Sequence, residues 1–117
     1  MMFQRLSFLK LMSYRYMRVI VFFDLPVLTA GERKAYRQFR KFLIKNGFLM
    51  EQQSVYSKLA VNNAAADAIA RNVRNNSPDK GLVQLMRVTE KQYAKMEYIV
   101  GEKTSDVLDN DERIVVL

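Results

Sequence analysis

The sequence predicts an α+β fold in which helices pack on one antiparallel sheet, and three observations carry this prediction. Residues 16–23 form a nearly continuous apolar run rich in β-branched and aromatic side chains, which is typical of a central strand buried on both faces. Residues 29–46 have helical periodicity with capping residues at both ends. Strand-like and helix-like segments then alternate along a chain of 117 residues, the usual length of one domain.

The first strand and first helix have clear boundaries. Asp24 and the Leu25-Pro26 pair end the strand, because proline cannot donate a hydrogen bond to a sheet. The sequence Thr29-Ala30-Gly31-Glu32 predicts a capping box, in which the Thr hydroxyl and the Glu carboxylate accept hydrogen bonds from free backbone N–H groups. Asn46-Gly47 predicts the end of the helix, because glycine adopts the left-handed conformation readily.

The helix over residues 29–46 has two contrasting faces. At 100° per residue, one sector of the helix collects apolar side chains, namely Ala35, Tyr36, Phe39, Phe42 and Leu43. The opposite arc collects six cations, which we call the basic stripe: Arg33, Lys34, Arg37, Arg40, Lys41 and Lys45. We therefore expect one face to pack in the core and the other to carry positive charge.

The remaining elements complete a recognisable order. Two strands are predicted over Gly47–Met50 and Val55–Val61, followed by a helix over Ala64–Asn75 that is capped by Asn62-Asn63. A strand over Leu82–Val88 comes next, and a short helix then runs from the capping box Thr89–Gln92 to about Tyr98. A terminal strand is predicted over Ile114–Leu117. The first six elements give the ferredoxin-like βαββαβ arrangement. The terminal strand has no place in the basic four-stranded sheet, so we expect it to pair with a sheet edge, such as that of a second protomer.

The composition excludes several classes of chemistry. The chain contains no Cys, no His and no Trp, so a Ser-His-Asp triad, a thiolate nucleophile, a disulfide and a Cys/His zinc site are all ruled out. Catalysis would depend on carboxylates, hydroxyls, Lys or Arg, and a hard metal ion such as Mg²⁺.

The positive charge is concentrated in the first part of the chain. The net charge is +7. Residues 1–46 hold ten basic and two acidic side chains, a net +8, whereas residues 47–117 hold nine basic and ten acidic side chains, a net −1. This distribution favours a polyanionic partner such as nucleic acid, with a merely solvated basic face as the alternative interpretation.

Asp24 is the candidate catalytic and metal-binding residue. An acid at the end of a buried strand, followed by a proline-containing loop, lies where open sheets commonly bind ligands. Its carboxylate could hold Mg²⁺ against a phosphodiester, or it could simply cap the loop backbone. One carboxylate is too few for a good metal site, so the metal hypothesis needs a second Asp24 from a dimer partner, or phosphate and water ligands.

The N-terminal segment differs from the rest of the chain, and its composition bears on where the protein is located. We interpret residues 1–12 as an N-terminal extension or an upstream start, and residues 13–117 as a single ferredoxin-like domain. The N-terminal segment carries Arg5 and Lys10 and lacks the long apolar run of a signal peptide or a membrane span. Together with the absence of disulfides, this predicts a soluble protein of the cytoplasm.

The sequence resembles a known family, the small ferredoxin-like CRISPR-associated adaptation proteins, also described as the integrase-partner endoribonuclease family. The resemblance runs from about Met12 to Leu117 and looks closest to members found beside large single-effector DNA-cleaving systems, the type II-like members. It is carried by five segments: Tyr16–Pro26, Glu32–Leu43, Gly47-Phe48, Gln52–Tyr56 and Glu112–Val115.

The resemblance implies partners and site residues. It implies a homodimer in which the terminal strand completes the partner's sheet, with an interface formed by Ile114, Val115, Val116 and Leu117. It implies that Asp24 binds Mg²⁺ and is the nuclease residue, with two copies facing each other across the dimer axis. It also implies a scaffold that bridges two integrase dimers and holds double-stranded protospacer DNA through basic residues, here Arg15, Arg33, Lys34, Arg37 and Arg40.

Three functional hypotheses stand at this stage. The first is a spacer-acquisition subunit that binds protospacer DNA and bridges integrase dimers, with a latent or active Mg²⁺-dependent endonuclease site at Asp24. The second is a free-standing metal-dependent endoribonuclease of toxin type. The third is a non-enzymatic ferredoxin-like module that binds RNA or a metabolite.

Overall fold

The computed structural model describes residues 16–102 of the chain. Within them, seven elements follow one another: β1 (Met17–Asp24), α1 (Ala30–Lys45), β2 (Leu49–Gln52), β3 (Val55–Ala60), α2 (Asn63–Asn75), β4 (Leu82–Thr89) and α3 (Glu90–Ala94). The predicted βαββαβ order followed by a short helix is confirmed.

The four strands form one antiparallel sheet in the order β2-β3-β1-β4. Strand β1 is central: Val21, for example, lies between Tyr56 of β3 and Leu85 of β4. A strand paired on both sides and covered on one face by helices needs the apolar composition that β1 has. The order and the element sequence together define the predicted ferredoxin-like fold.

The two faces of the sheet differ. Val19, Val21 and Phe23 of β1 are buried on the face that packs under α1 and α2. The alternating positions point to the other side, which we call the open face: Arg18, Ile20, Phe22 and Asp24. The sequence predicts a strand buried on both faces, but Phe22 is only half-buried on the open face because the helices cover the other face.

Helix α1 forms as its sequence predicts. The Thr29 hydroxyl accepts a hydrogen bond from the Glu32 N–H, and the Glu32 carboxylate accepts one from the Thr29 N–H, so the capping box is complete. Phe39 and Leu43 are buried against the sheet. The Phe39 ring lies edge-on to Phe23, with 5.3 Å between the ring centroids.

Strand β2 and helix α3 have bounds that differ from the prediction, and β2 spans Leu49–Gln52 instead of Gly47–Met50. Strand β2 begins at Leu49 instead of Gly47, because Gly47 has φ of +88° and the Phe48 N–H donates to the Leu43 carbonyl at the helix end. Helix α3 ends at Ala94 instead of Tyr98. The chain after α3 runs along the open face, where Tyr98 lines a hollow beside Ile20.

Several predictions fall outside the described residues. The proposed boundary between residues 12 and 13, the candidate DNA-contacting Arg15 and the terminal strand over Ile114–Leu117 all lie there. Within residues 16–102, none of the helices has the length and apolar content needed to span a membrane.

Candidate nucleic-acid interface and carboxylate site

Asp24 is positioned by the central strand of the sheet. It is the last residue of β1, where it pairs with Leu82 at the start of β4, and it is exposed on the open face. Its carboxylate makes no hydrogen bond or ion pair with any residue between 16 and 102. The interpretation of Asp24 as a backbone cap for the following loop therefore receives no support from the described part of the chain.

The carboxylate of Asp24 belongs to no larger cluster of metal-binding side chains in the described part of the chain. No cluster of three or more Asp, Glu, His or Cys side chains that could hold a metal ion occurs within residues 16–102. A single exposed carboxylate provides one oxygen ligand of the kind that Mg²⁺ prefers, and Mg²⁺ commonly completes its shell with water and phosphate oxygens. Asp24 thus fits one ligand position of such an ion, but one copy of the described chain does not form a full site.

The basic stripe is exposed over the whole length of α1, as predicted. Every one of its six cations is exposed: Arg33, Lys34, Arg37, Arg40, Lys41 and Lys45. The apolar side of the helix holds the stripe in place by packing on the sheet. Regularly spaced guanidinium and ammonium groups on a rigid helix suit contacts to successive phosphates of a nucleic-acid backbone.

Arg33 differs from the other members of the stripe. Its guanidinium donates hydrogen bonds to the Leu28 carbonyl at 2.9 Å and to the Val27 carbonyl at 3.2 Å. It therefore stabilises the loop between β1 and α1. The other five cations of the stripe make no side-chain hydrogen bond or ion pair with residues 16–102, so they are better placed to bind phosphate.

Two cations outside the basic stripe, Arg18 and Lys58, are engaged in contacts within the fold. Arg18 donates to Glu90 at 2.9 and 2.6 Å, and its side chain is only 12% exposed. The Lys58 ammonium donates to the Asn46 carbonyl at the end of α1, at 2.6 Å. Both cations hold the fold together.

Sequence reasoning missed a polar network on the open face, formed by Arg18, Glu51, Ser57, Glu90 and Tyr93. Glu51 Oε2 accepts hydrogen bonds from the Tyr93 hydroxyl and, at 2.5 Å, from Ser57 Oγ. The Arg18 guanidinium lies 4.2 Å from the centre of the Tyr93 ring. Burial and the hydrogen bond to Glu51 raise the pKa of Tyr93 above its ordinary value of 10.0. Ser57 is fully buried, so this network anchors α3 and offers no nucleophile.

Together, the fold and the surface define a class: a small basic ferredoxin-like protein with an exposed acid at the end of its central strand. The family model described as CRISPR associated protein Cas2 matches residues 17–96, which include every helix and strand of the described structure. The chain belongs to the Cas2 family of CRISPR-associated proteins. The resemblance seen in the sequence is thereby confirmed.

Individual relatives agree with the family assignment. A CRISPR-associated endoribonuclease Cas2 of Treponema denticola is 57% identical over 101 residues, which cover 86% of this chain and 100% of that protein. A protein of the same name from Streptococcus mutans is 52% identical over 101 residues, covering 86% of this chain and 93% of the relative. The one from Ligilactobacillus salivarius is 45% identical over 101 residues, again 86% of this chain and 100% of the relative.

A solved structure supports the fold alone. A crystal structure of cas2 matches with a TM-score of 0.53 at 20% sequence identity, and the match covers 77% of this chain and 92% of that one. At this level of identity the agreement concerns the ferredoxin-like arrangement of strands and helices.

Proposed function

We propose that the protein is a nucleic-acid-binding subunit of a CRISPR spacer-acquisition complex, in which it binds double-stranded protospacer DNA and bridges integrase dimers. The observation that carries the proposal is the exposed basic stripe on α1 in a member of the Cas2 family. A duplex backbone carries closely spaced negative charges, and a rigid row of cations binds it by releasing counterions without reading the sequence.

A homodimer is part of this proposal, and two features support it. In the described part of the chain, the outer edge of β4 has no strand partner, and an unpaired edge invites strand addition. The open face also exposes the apolar side chains of Leu59, Leu82 and Met86. The terminal residues Ile114–Leu117 of a second copy, an apolar four-residue segment, would suit the free edge as an added strand.

Asp24 is the residue that we propose for metal-dependent cleavage of nucleic acid. Because Asp24 is exposed at the end of β1, a dimer whose two-fold axis passes near that strand end would bring two such carboxylates together. When bound, Mg²⁺ polarises a phosphodiester and lowers the pKa of a coordinated water. The role of Asp24 is to hold the ion, and the role of the basic stripe is to hold the nucleic-acid backbone nearby.

Charge reversal on α1 tests the DNA-binding part. The triple variant Lys34→Glu/Arg37→Glu/Arg40→Glu should weaken duplex binding by roughly tenfold or more at about 0.1 M salt, and should lower the slope of log K against log salt by about 2 to 3. Binding is measured by fluorescence anisotropy at several salt concentrations.

The matched control carries the same change in charge at exposed positions outside the stripe, in Arg71→Glu/Arg74→Glu/Lys95→Glu. It should lose clearly less affinity than the stripe variant. An equal loss in the two triple variants would show that net charge alone drives binding and that the stripe is not the interface.

Substitution of Asp24 separates scaffolding from cleavage. Asp24→Asn should leave duplex binding and assembly with the integrase unchanged, as measured by sedimentation of the mixed complex, while it removes any Mg²⁺-dependent cleavage. Loss of integrase association in this variant would contradict a scaffold with a separate metal site.

A free-standing endoribonuclease is the second candidate, and its ribonuclease activity is supported by the relatives' name, CRISPR-associated endoribonuclease Cas2. Under this hypothesis the purified protein should cleave RNA in the presence of Mg²⁺ without an integrase, and Asp24→Asn should abolish the cleavage. Cleavage that persists in Asp24→Asn would identify a contaminating nuclease. If neither nucleic acid is cleaved and no complex with integrase dimers forms, the non-enzymatic module is the remaining hypothesis.

A further inference from the structure

Gly81 lies directly against the end of the central strand. It precedes β4 and has φ of +94°, in the left-handed region that favours glycine. A Cβ atom built on Gly81 would lie 2.8 Å from the Asp24 carbonyl oxygen, 2.8 Å from Leu25 Cδ2 and 3.0 Å from Pro26 Cδ. Contacts this short are not tolerated, so any larger residue at this position must displace the end of β1 or the start of β4.

The surroundings leave little room for relief. Asp24 belongs to an eight-residue strand that is paired along its whole length with β4. The Leu25 side chain is 8% exposed and packs in the core, and the Pro26 ring is rigid. The three atoms closest to the added Cβ belong to one short segment that begins with Asp24, so the contact is relieved only if Gly81 and that segment move apart.

We infer that Gly81 is a positioning residue for the Asp24 carboxylate. Because Gly81 has no side chain, β4 can begin in close contact with the end of β1, and this contact fixes the position of the carboxylate on the open face. The inference rests on the proposed metal-binding role of Asp24. A displacement of about 1 Å at a reacting or ligating group can cost on the order of a hundredfold in rate. Gly81 acts through Asp24 alone, without binding nucleic acid or metal itself.

Two other glycines provide matched controls. Gly101 has φ of +95°, and a Cβ there would meet nothing within 4 Å. Gly47 has φ of +88°, and a Cβ there would meet only the flexible Lys58 side chain, at 3.5 Å. Alanine at any of the three positions adopts the same unfavourable backbone conformation. Only Gly81→Ala adds a steric contact with the Asp24 segment.

The test measures metal binding, cleavage and duplex binding in the full chain. Mn²⁺ serves as the probe, and the free ion is followed by electron paramagnetic resonance. Gly81→Ala should weaken Mn²⁺ binding by roughly tenfold or more and reduce cleavage by a similar factor, while Gly101→Ala and Gly47→Ala stay within about twofold of the wild type. Duplex binding through the basic stripe should remain within about twofold in all three variants, because α1 is not part of the contact.

A second series guards against a variant that does not fold. Asparagine adopts positive φ more readily than alanine, so Gly81→Asn, Gly101→Asn and Gly47→Asn keep the steric contrast with less backbone strain. In the Asp24→Asn background, Gly81→Ala should cause no further loss of Mn²⁺ binding, as expected if it acts only through that carboxylate.

The outcomes separate the two claims. If the wild type binds Mn²⁺ no better than Asp24→Asn does, the metal-binding role of Asp24 is wrong and the inference on Gly81 falls with it. If the wild type shows Asp24-dependent binding but the Gly81 variants match the Gly101 and Gly47 variants, only the positioning role is overturned. A parallel loss of duplex binding in the Gly81 variants would likewise overturn it, because the effect would then be general unfolding.

Discussion

The Arg18 guanidinium donates two hydrogen bonds to the Glu90 carboxylate, at 2.9 and 2.6 Å, across 72 positions of sequence. Glu90 is the first residue of α3, and Tyr93 of the same short helix lies under the Arg18 guanidinium and donates a hydrogen bond to Glu51. A five-residue helix is too short to be stable alone. The polar network therefore holds α3, and the chain that follows it, on the open face of the sheet.

Breaking the contact between Arg18 and Glu90 should destabilise the fold. The two side chains are only 12% and 27% exposed, so Glu90→Gln weakens a charge-assisted, bidentate contact in a poorly solvated place. We expect the free energy of unfolding to fall by about 2 kcal/mol, measured by urea denaturation.

A matched control uses the exposed ion pair of Arg87 and Asp67, whose side chains are 36% and 56% exposed. Asp67→Asn should lower the free energy of unfolding clearly less than Glu90→Gln does, because solvent screens an exposed pair. Equal losses in Glu90→Gln and Asp67→Asn would mean that the partial burial of the first pair has no energetic consequence.

Replacing Tyr56 by phenylalanine should stabilise the protein. Tyr56 is fully buried against Phe23, and its hydroxyl finds no hydrogen-bond partner within the described part of the chain. An unsatisfied buried hydroxyl costs free energy, so Tyr56→Phe should raise the free energy of unfolding by about 1 kcal/mol. Thermal and urea unfolding both measure this. A clear destabilisation would show that the hydroxyl has a partner outside residues 16–102 or a bound water.

Acid should weaken the start of α1. The Thr29 and Leu28 N–H groups donate to the Glu32 carboxylate and hold the pKa of Glu32 below its ordinary value of 4.5. A carboxyl group whose pKa is lowered by folding stabilises the native state above its unfolded pKa, and this contribution is lost as the pH falls through the folded pKa. Glu32→Gln keeps a capping side chain without this titration.

We expect the difference in unfolding free energy between wild type and Glu32→Gln to shrink as the pH falls from about 6 to about 3. Glu97→Gln, at an exposed position on the chain after α3, is the control. A difference that stays constant over this range would contradict the capping role of the Glu32 charge.

Alkaline pH should release α3 through Tyr93. Because burial and Glu51 raise the pKa of Tyr93 above 10.0, the folded state favours the neutral phenol. Its contribution to stability is complete below the unfolded pKa and is lost as the pH rises toward the folded pKa. Between about pH 9 and pH 11.5, the wild type should lose more stability than Tyr93→Phe does. A parallel loss in both proteins would place the alkaline transition at other groups.

Local features of the fold follow from neighbouring residues. The capping box of Thr29 and Glu32, the end of α1 at Asn46 and the basic stripe are all properties of one helix and its first and last turns. Their physical causes act over three to five residues, so the sequence alone sufficed to predict them. The segments that resemble the CRISPR-associated proteins, such as Tyr16–Pro26, are also short stretches of neighbouring residues, so the sequence alone was enough to recognise them.

The limits of local reasoning appear where contacts are distant in sequence. The early end of α3 at Ala94 depends on the contacts that the following chain makes on the open face. The half-buried position of Phe22 depends on which face of the sheet the helices cover. Charge counting also could not show that Arg18 is engaged by a carboxylate, because its partner Glu90 lies 72 residues away.

By itself, the sequence determined the ferredoxin-like order of elements, the exclusion of His and Cys chemistry, the concentration of positive charge on α1, and Asp24 as the acid at a strand end. The tertiary structure alone decided which cations remain available for a ligand, how α3 is anchored through Glu51 and Tyr93, and how closely Gly81 approaches Asp24. The physical reason is the sequence distance over which the interactions act. Helical periodicity and capping depend on residues close together in the sequence. Whether a charged side chain already has a partner, and how closely two strands approach, depend on groups that only folding brings together.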